Sequence, residues 1–137
     1  MGIMKILLVV LVHRKQNFKR YFQPAPLNLM VIASLTPPDV TVKIIDENIE
    51  TIDYDQPVDL VGIGSNTSEI MRAYQICDQF RKRGKKVVLG GIHASALPEE
   101  ALKHADSVVI GEAEGLWERL VEDFRNHRLA RVYRHGT

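Results

Sequence analysis

Five short apolar runs rich in β-branched residues recur along the chain: residues 5–12 (KILLVVLV), 40–45 (VTVKII), 60–63 (LVGI), 87–89 (VVL) and 107–110 (SVVI). Most are continuous rather than alternating. A strand that hides only one face alternates apolar and polar residues, whereas one covered on both faces is apolar throughout, so these runs predict a buried parallel sheet. Parallel strands need crossovers, and helical patterns lie between several of the runs. In residues 67–83 (TSEIMRAYQICDQFRKR), Ile70, Ala73, Tyr74, Cys77 and Phe80 fall on one stripe at helical spacing. Thr67 or Ser68 is placed to cap that helix, and Gly84 to end it. Further helices are expected over residues 25–35, from Pro98, and from near Gly115 through Leu116, Trp117, Leu120, Val121 and Phe124. Alternating strands and helices predict an α/β three-layer sandwich, and five strands in a chain of this size predict the flavodoxin-like (Rossmann-like) order 2-1-3-4-5. With 137 residues the chain reads as one domain, residues 1–137, with 129–137 as an exit strand or linker.

Composition removes several function classes. A formal net charge of +1 gives no basic stripe for nucleic acid. The apolar run at residues 6–12 is far too short to span a bilayer, and no small-residue cleavage site follows it. Cys77 is the only cysteine, so no intramolecular disulfide forms, which fits a reducing cytoplasm. One cysteine also cannot hold a zinc ribbon or an iron–sulfur cluster on this chain alone.

In a sheet of this kind ligands sit beyond the carboxyl ends of the strands. The five segments there are HRKQNF with His13, DENIE with Asp46 and Glu47, GSNTSE, GGIHAS and GEAEG. Small residues cluster after the third, fourth and fifth runs together, which shapes that edge for a large, flat or elongated ligand. Familiar phosphate-binding patterns are missing: there is no Walker Lys-Ser or Lys-Thr pair, no glycine in the first turn for a dinucleotide or flavin loop, and Gly64 and Ser65 where a receiver domain carries its phospho-accepting aspartate.

The stretches IDENIE and DLVGIGSNTSEIMRAYQICDQFRKRGKKVVLGGIHASALPEEALKHADSVVIGEAEGLWERLVED resemble the cobalamin-binding domain that precedes the catalytic barrel in many radical SAM enzymes. The shared pattern is D-E after the second strand, D-L-V-G-I-S, A-Y-x-I-A-D-x-x-R on the helix, V-V-x-G-G-x-H with P-E-E-A, and G-E-G-E/A-x-x-W. The resemblance implies a cobalamin (vitamin B12)-binding module of a methyltransferase-like radical SAM system. It places Gly90 and Gly91 against the corrin or its nucleotide tail, Ser65, Asn66 and Thr67 as polar partners, Gly111 and Glu112 beside the tail, and His93 on the pocket wall. The implied partners are a corrinoid and a radical SAM barrel, as a domain or a separate chain.

Three departures accompany the resemblance. Many cobalamin domains carry D-x-H-x-x-G after the first strand; here only His13 of that motif is present, and radical SAM members usually lack the ligand, so no residue is assigned to cobalt. Asn28 stands where the family usually has glycine. The cysteine motif of the barrel is absent, so this chain is expected to hold the methyl carrier without generating radicals, as a fragment, truncated relative or stand-alone domain. Two rival readings stay open from the sequence: a degenerate domain that serves as a docking surface, and a small enzyme of flavodoxin-like fold using His93 and Glu112 as acid and base.

Overall fold

The computed structural model describes residues 3–11 and 27–136. Its elements run β1 (Lys5–Val10), α1 (Leu27–Leu35), β2 (Thr41–Asp46), β3 (Leu60–Gly64), α2 (Ile70–Lys82), β4 (Lys86–Gly90), α3 (Ile92–Ala96), α4 (Pro98–Ala101), β5 (Ser107–Ile110), α5 (Trp117–Arg125) and β6 (Val132–Arg134). The strands form one sheet in the order β2-β1-β3-β4-β5-β6, parallel at every pairing. The expected order 2-1-3-4-5 is present, extended by a sixth strand. That strand comes from the segment read as an exit strand or linker. It has three residues, too few to make a recognisable apolar run, and docks through Tyr133, which is buried and donates its hydroxyl to Asp123 Oδ2 at 2.8 Å.

The two faces of the sheet carry separate cores, because successive side chains of a strand point to opposite faces. Leu7, Val9, Val61, Ile63, Val87, Leu89 and Val108 pack under α2, α3 and α4. Ile6, Leu8, Val10, Leu60, Val88 and Val109 pack under α1 and α5. The helical stripe expected on α2 is the buried one: Ile70, Ala73, Tyr74, Cys77 and Phe80 all face the sheet. Gly84 adopts φ +80° directly after it, the left-handed turn that lets the chain leave the helix.

Two local features differ from the sequence reading. The cap before α2 is Asn66, whose side chain accepts from Glu69 N at 3.2 Å, and Thr67 opens a 3-10 turn instead. The segment after β4 is also a helix of one turn and a half, α3, rather than a loop. Five residues are too few for a periodic apolar pattern to show.

Cys77 lies on α2 with no exposed surface, and burial pushes its thiol up to about 12. A maleimide or disulfide reagent is therefore expected to leave Cys77 unmodified in the native protein and to label it stoichiometrically in denaturant, as read by mass spectrometry.

Candidate functional site

The carboxyl ends of β3, β4 and β5 open onto a cavity of about 620 Å³ on the α1/α5 side of the sheet. Its sheet wall has two levels. Leu8, Gly62 and Val88 lie side by side at the deeper one, in mutual register. Gly64 and Gly90 pair one pleat higher, about 7 Å nearer the edge. Val109, Gly111, Glu112 and Ala113 bound it from β5 and the turn after it, and Leu29, Ile32 and Trp117 from the helices. A smaller hollow of about 270 Å³ adjoins it, lined by Ser65, Asn66, Gly91 and Ile92 among others.

The glycines at this edge do different things. A Cβ on Gly64 would meet nothing within 4 Å, and one on Gly90 would make only ordinary contact with Val109 at 3.8 Å. Among the described residues, no side chain fills the space above either glycine. Gly91 is the opposite case. It adopts φ +104°, and a Cβ there would stand 2.2 Å from the backbone oxygen of Ser65. Its missing side chain serves the protein's own backbone first, whatever else lies near it. Gly111 adopts φ +81° and donates its N–H to Ser95 Oγ at 2.9 Å.

The polar residues expected at the site are mostly engaged elsewhere. Ser65 is buried, its hydroxyl donating to Asn66 O at 2.8 Å and its N–H to Gly90 O at 3.1 Å. His93 does not line the cavity. Its Nε2 donates to Glu100 Oε2 at 2.7 Å, and its Nδ1 meets Thr67 Oγ1 at 3.4 Å. The same Glu100 oxygen accepts from Tyr74 OH at 2.6 Å, which ties α2, α3 and α4 together on the far face. Glu112 borders the cavity and offers its backbone oxygen to His135 Nε2 at 2.9 Å. His93 and Glu112 thus serve different neighbourhoods and do not make an acid–base pair. The Asp46-Glu47 pair closes its own turn: Asp46 Oδ1 accepts from Asn48 N at 2.9 Å, and Glu47 is ion-paired with Arg72. His13 and the side chain of Asn28 lie outside the described residues.

Sequence reasoning missed Gly62, Gly64, Ser95 and Trp117 as parts of this cavity. Gly62 and Gly64 stand two apart on a strand, so both lie on the same face, Gly62 covered by Leu8 and Trp117 and Gly64 bare; that spacing was the available signal. Trp117 was read as part of a helical stripe and as the tryptophan of the motif after β5, without a place in the cavity.

Two outcomes follow. Gly91→Ala is expected to cost about 3 kcal/mol or more through left-handed strain and the Ser65 clash, whereas Gly90→Ala stays within about 1 kcal/mol; urea unfolding checks both. The Tyr74 hydroxyl first, and His93 second, hold the Glu100 carboxyl below its ordinary 4.5. A depressed folded value stabilises above the unfolded value and is lost as pH falls through the folded one. The melting-temperature gap between the wild type and Glu100→Gln should therefore be full at neutral pH and close below pH 4.5.

A family model described as the B12 binding domain matches residues 17–121. Bacteriochlorophyllide d C-8(2)-methyltransferase of Chlorobaculum tepidum is 53% identical over 106 residues, covering 77% of this chain and 24% of that protein. The C-12(1)-methyltransferase of the same organism is 38% identical over 111 residues, 80% of this chain and 24% of the relative. The chain thus spans about a quarter of the length of both curated relatives. Among solved structures, the cobalamin-dependent S-adenosylmethionine radical enzyme OxsB with aqua-cobalamin bound superposes with a TM-score of 0.69 at 19% identity, over 93% of this chain and 19% of that one, which establishes a shared fold. The matched family region runs from before α1 into α5 and takes in β3, β4 and β5 with the cavity at their ends; this chain belongs to the B12-binding domain family.

Proposed function

We propose that this domain holds a corrinoid over the carboxyl edge of the sheet, with the nucleotide tail descending into the cavity past Gly64, Gly90 and Gly111. The observation that carries this reading is the open space at Gly64 and Gly90, beside a cavity whose size suits an organic ligand of several rings. The flat backbone of β3 and β4 admits a planar group, and Trp117 and Val109 give it apolar walls. Ser65 and Asn66 line the smaller hollow that adjoins the cavity, with their own polar groups bonded within the protein. The bound corrinoid would supply a transferable methyl group. The residues of this chain orient that carrier and keep water from its tail.

The relatives support a finer reading. At 53% identity to one bacteriochlorophyllide d methyltransferase and 38% to another, the module serves a radical SAM methyltransferase acting on a chlorin-type tetrapyrrole, with the C-8(2) enzyme as the better guide to position. The barrel that carries out the transfer is the partner across the corrin.

Incubation with hydroxocobalamin followed by desalting is expected to leave one corrinoid per chain in the visible spectrum. Gly64→Val should lower the affinity by at least about tenfold, because its side chain occupies ligand space at a small cost in stability. Retention of colour by Gly64→Val equal to the wild type would place the corrinoid elsewhere, and no retention by the wild type would leave the docking-module reading.

A further inference from the structure

Three stretches of the family pattern meet outside the cavity. Tyr74 comes from AYQI on α2, His93 from GGIH at the start of α3, and Glu100 from PEEA on α4. One oxygen of Glu100 accepts from both others, at 2.6 Å from Tyr74 OH and 2.7 Å from His93 Nε2. The helix α3 needs such a hold. Five residues are too few for a helix to persist by itself, and Gly91 gives it no side-chain cap. Ala94 alone of the five is buried, so packing fixes α3 weakly. Yet Ile92, Ser95 and Ala96 line the cavity, and Ser95 Oγ accepts the Gly111 N–H at its mouth. His93 and Ser95 stand two apart, about 200° around the helix axis, so one bond grips each side of α3. The Ser65 contact at Gly91 fixes where the helix begins, and these two side-chain bonds fix how it is turned.

We infer that His93 is a positioning residue: its bond to Glu100 sets how α3 is turned and so, through Ser95 and Gly111, sets the shape of the cavity mouth and the affinity for the corrinoid. The affinity part rests on the reading above that a corrinoid is the ligand. With the bond made, α3 meets the ligand already in place. Without it, α3 has to be ordered as the ligand binds, and that ordering is subtracted from the affinity. The His93 side chain acts from outside the cavity lining, so its removal takes away no contact that the lining makes. Tyr74 holds the same oxygen from α2, which anchors Glu100 to the packed face of the sheet and makes it a fixed point for His93 to hold.

Two readouts test the inference on two variants. His93→Leu removes the donor and keeps a side chain of similar bulk; His93→Gln offers an amide N–H in place of Nε2–H. The first readout is amide exchange followed by NMR in the unliganded protein. In His93→Leu the amides of Ser95 and Gly111 are expected to exchange at least about tenfold faster, the factor that ~1.4 kcal/mol represents, and in His93→Gln to return to near the wild-type rate. The second is titration with hydroxocobalamin, where His93→Leu should bind about tenfold more weakly and His93→Gln within about threefold of the wild type. Ile45→Val thins the core on β2, three strands from β4, without removing a hydrogen bond. It should lower the melting temperature and leave both readouts unmoved. Unchanged exchange at Ser95 and Gly111 in His93→Leu overturns the inference, as does unchanged affinity where the wild type binds. An equal response to Ile45→Val overturns it too, because His93 would then act through general stability alone. A wild type that retains no corrinoid removes the reading above, and the exchange rates then decide the linkage through α3 by themselves.

Discussion

The backbone of Gly91 crosses the backbone of Ser65 so closely that no side chain fits between them. That contact fixes the ends of β3 and β4 relative to each other, with the Ser65 N–H bonded to Gly90 O. It also sets the start of α3, whose first turn closes through Ser95 N to Gly91 O at 3.0 Å. Ser95 in turn receives the N–H of Gly111 at the end of β5. Three strand ends are thus linked through one short run of chain, and the mouth of the cavity is the space that this linkage leaves. Were the crossing looser, α3 would have no fixed origin and the cavity no defined rim.

The two faces of the sheet solve different problems. On the α2 side the space is filled, and the polar groups that fall there bond with one another. Tyr74 and His93 share one oxygen of Glu100, and the Tyr74 ring stacks on His104 at 4.0 Å between centroids. These are residue types that often carry proton chemistry, yet each is held in place by a neighbour of the fold. Burial, followed by the bond to Glu100, pushes the Tyr74 hydroxyl up, away from any proton it could exchange near neutrality. On the α1/α5 side the packing is left incomplete, and what faces the gap is apolar. Among the described residues, the titratable side chain that lines this gap, Glu112, stands at its mouth.

The sheet was legible because its strands are buried on both faces and so appear as unbroken apolar runs. The strand order followed from the helices between them. What the sequence hid was short or was decided by tertiary contact. The strand β6 is three residues long and depends on Tyr133 finding Asp123. The helix α3 has five residues and depends on Gly91. The choice of Asn66 over Thr67 as cap turned on which side chain could reach Glu69 N, a matter of a single residue's geometry. At the site, the stretch GGIH marked the right place, but the reason differed for each letter. Gly90 opens onto the cavity, Gly91 meets Ser65, and His93 turns to the other face.

Glycine therefore carries two opposed messages in this chain. At Gly91 the absent side chain is replaced by the protein's own backbone, so the position belongs to folding. At Gly64 no atom of the described residues takes its place, and an uncovered wall beside an apolar cavity forgoes dispersion contacts along its length. A ring laid along β3 and β4 restores those contacts. On the proposed reading, the cost of the hollow in the unliganded domain would become part of the affinity for the ligand that fills it.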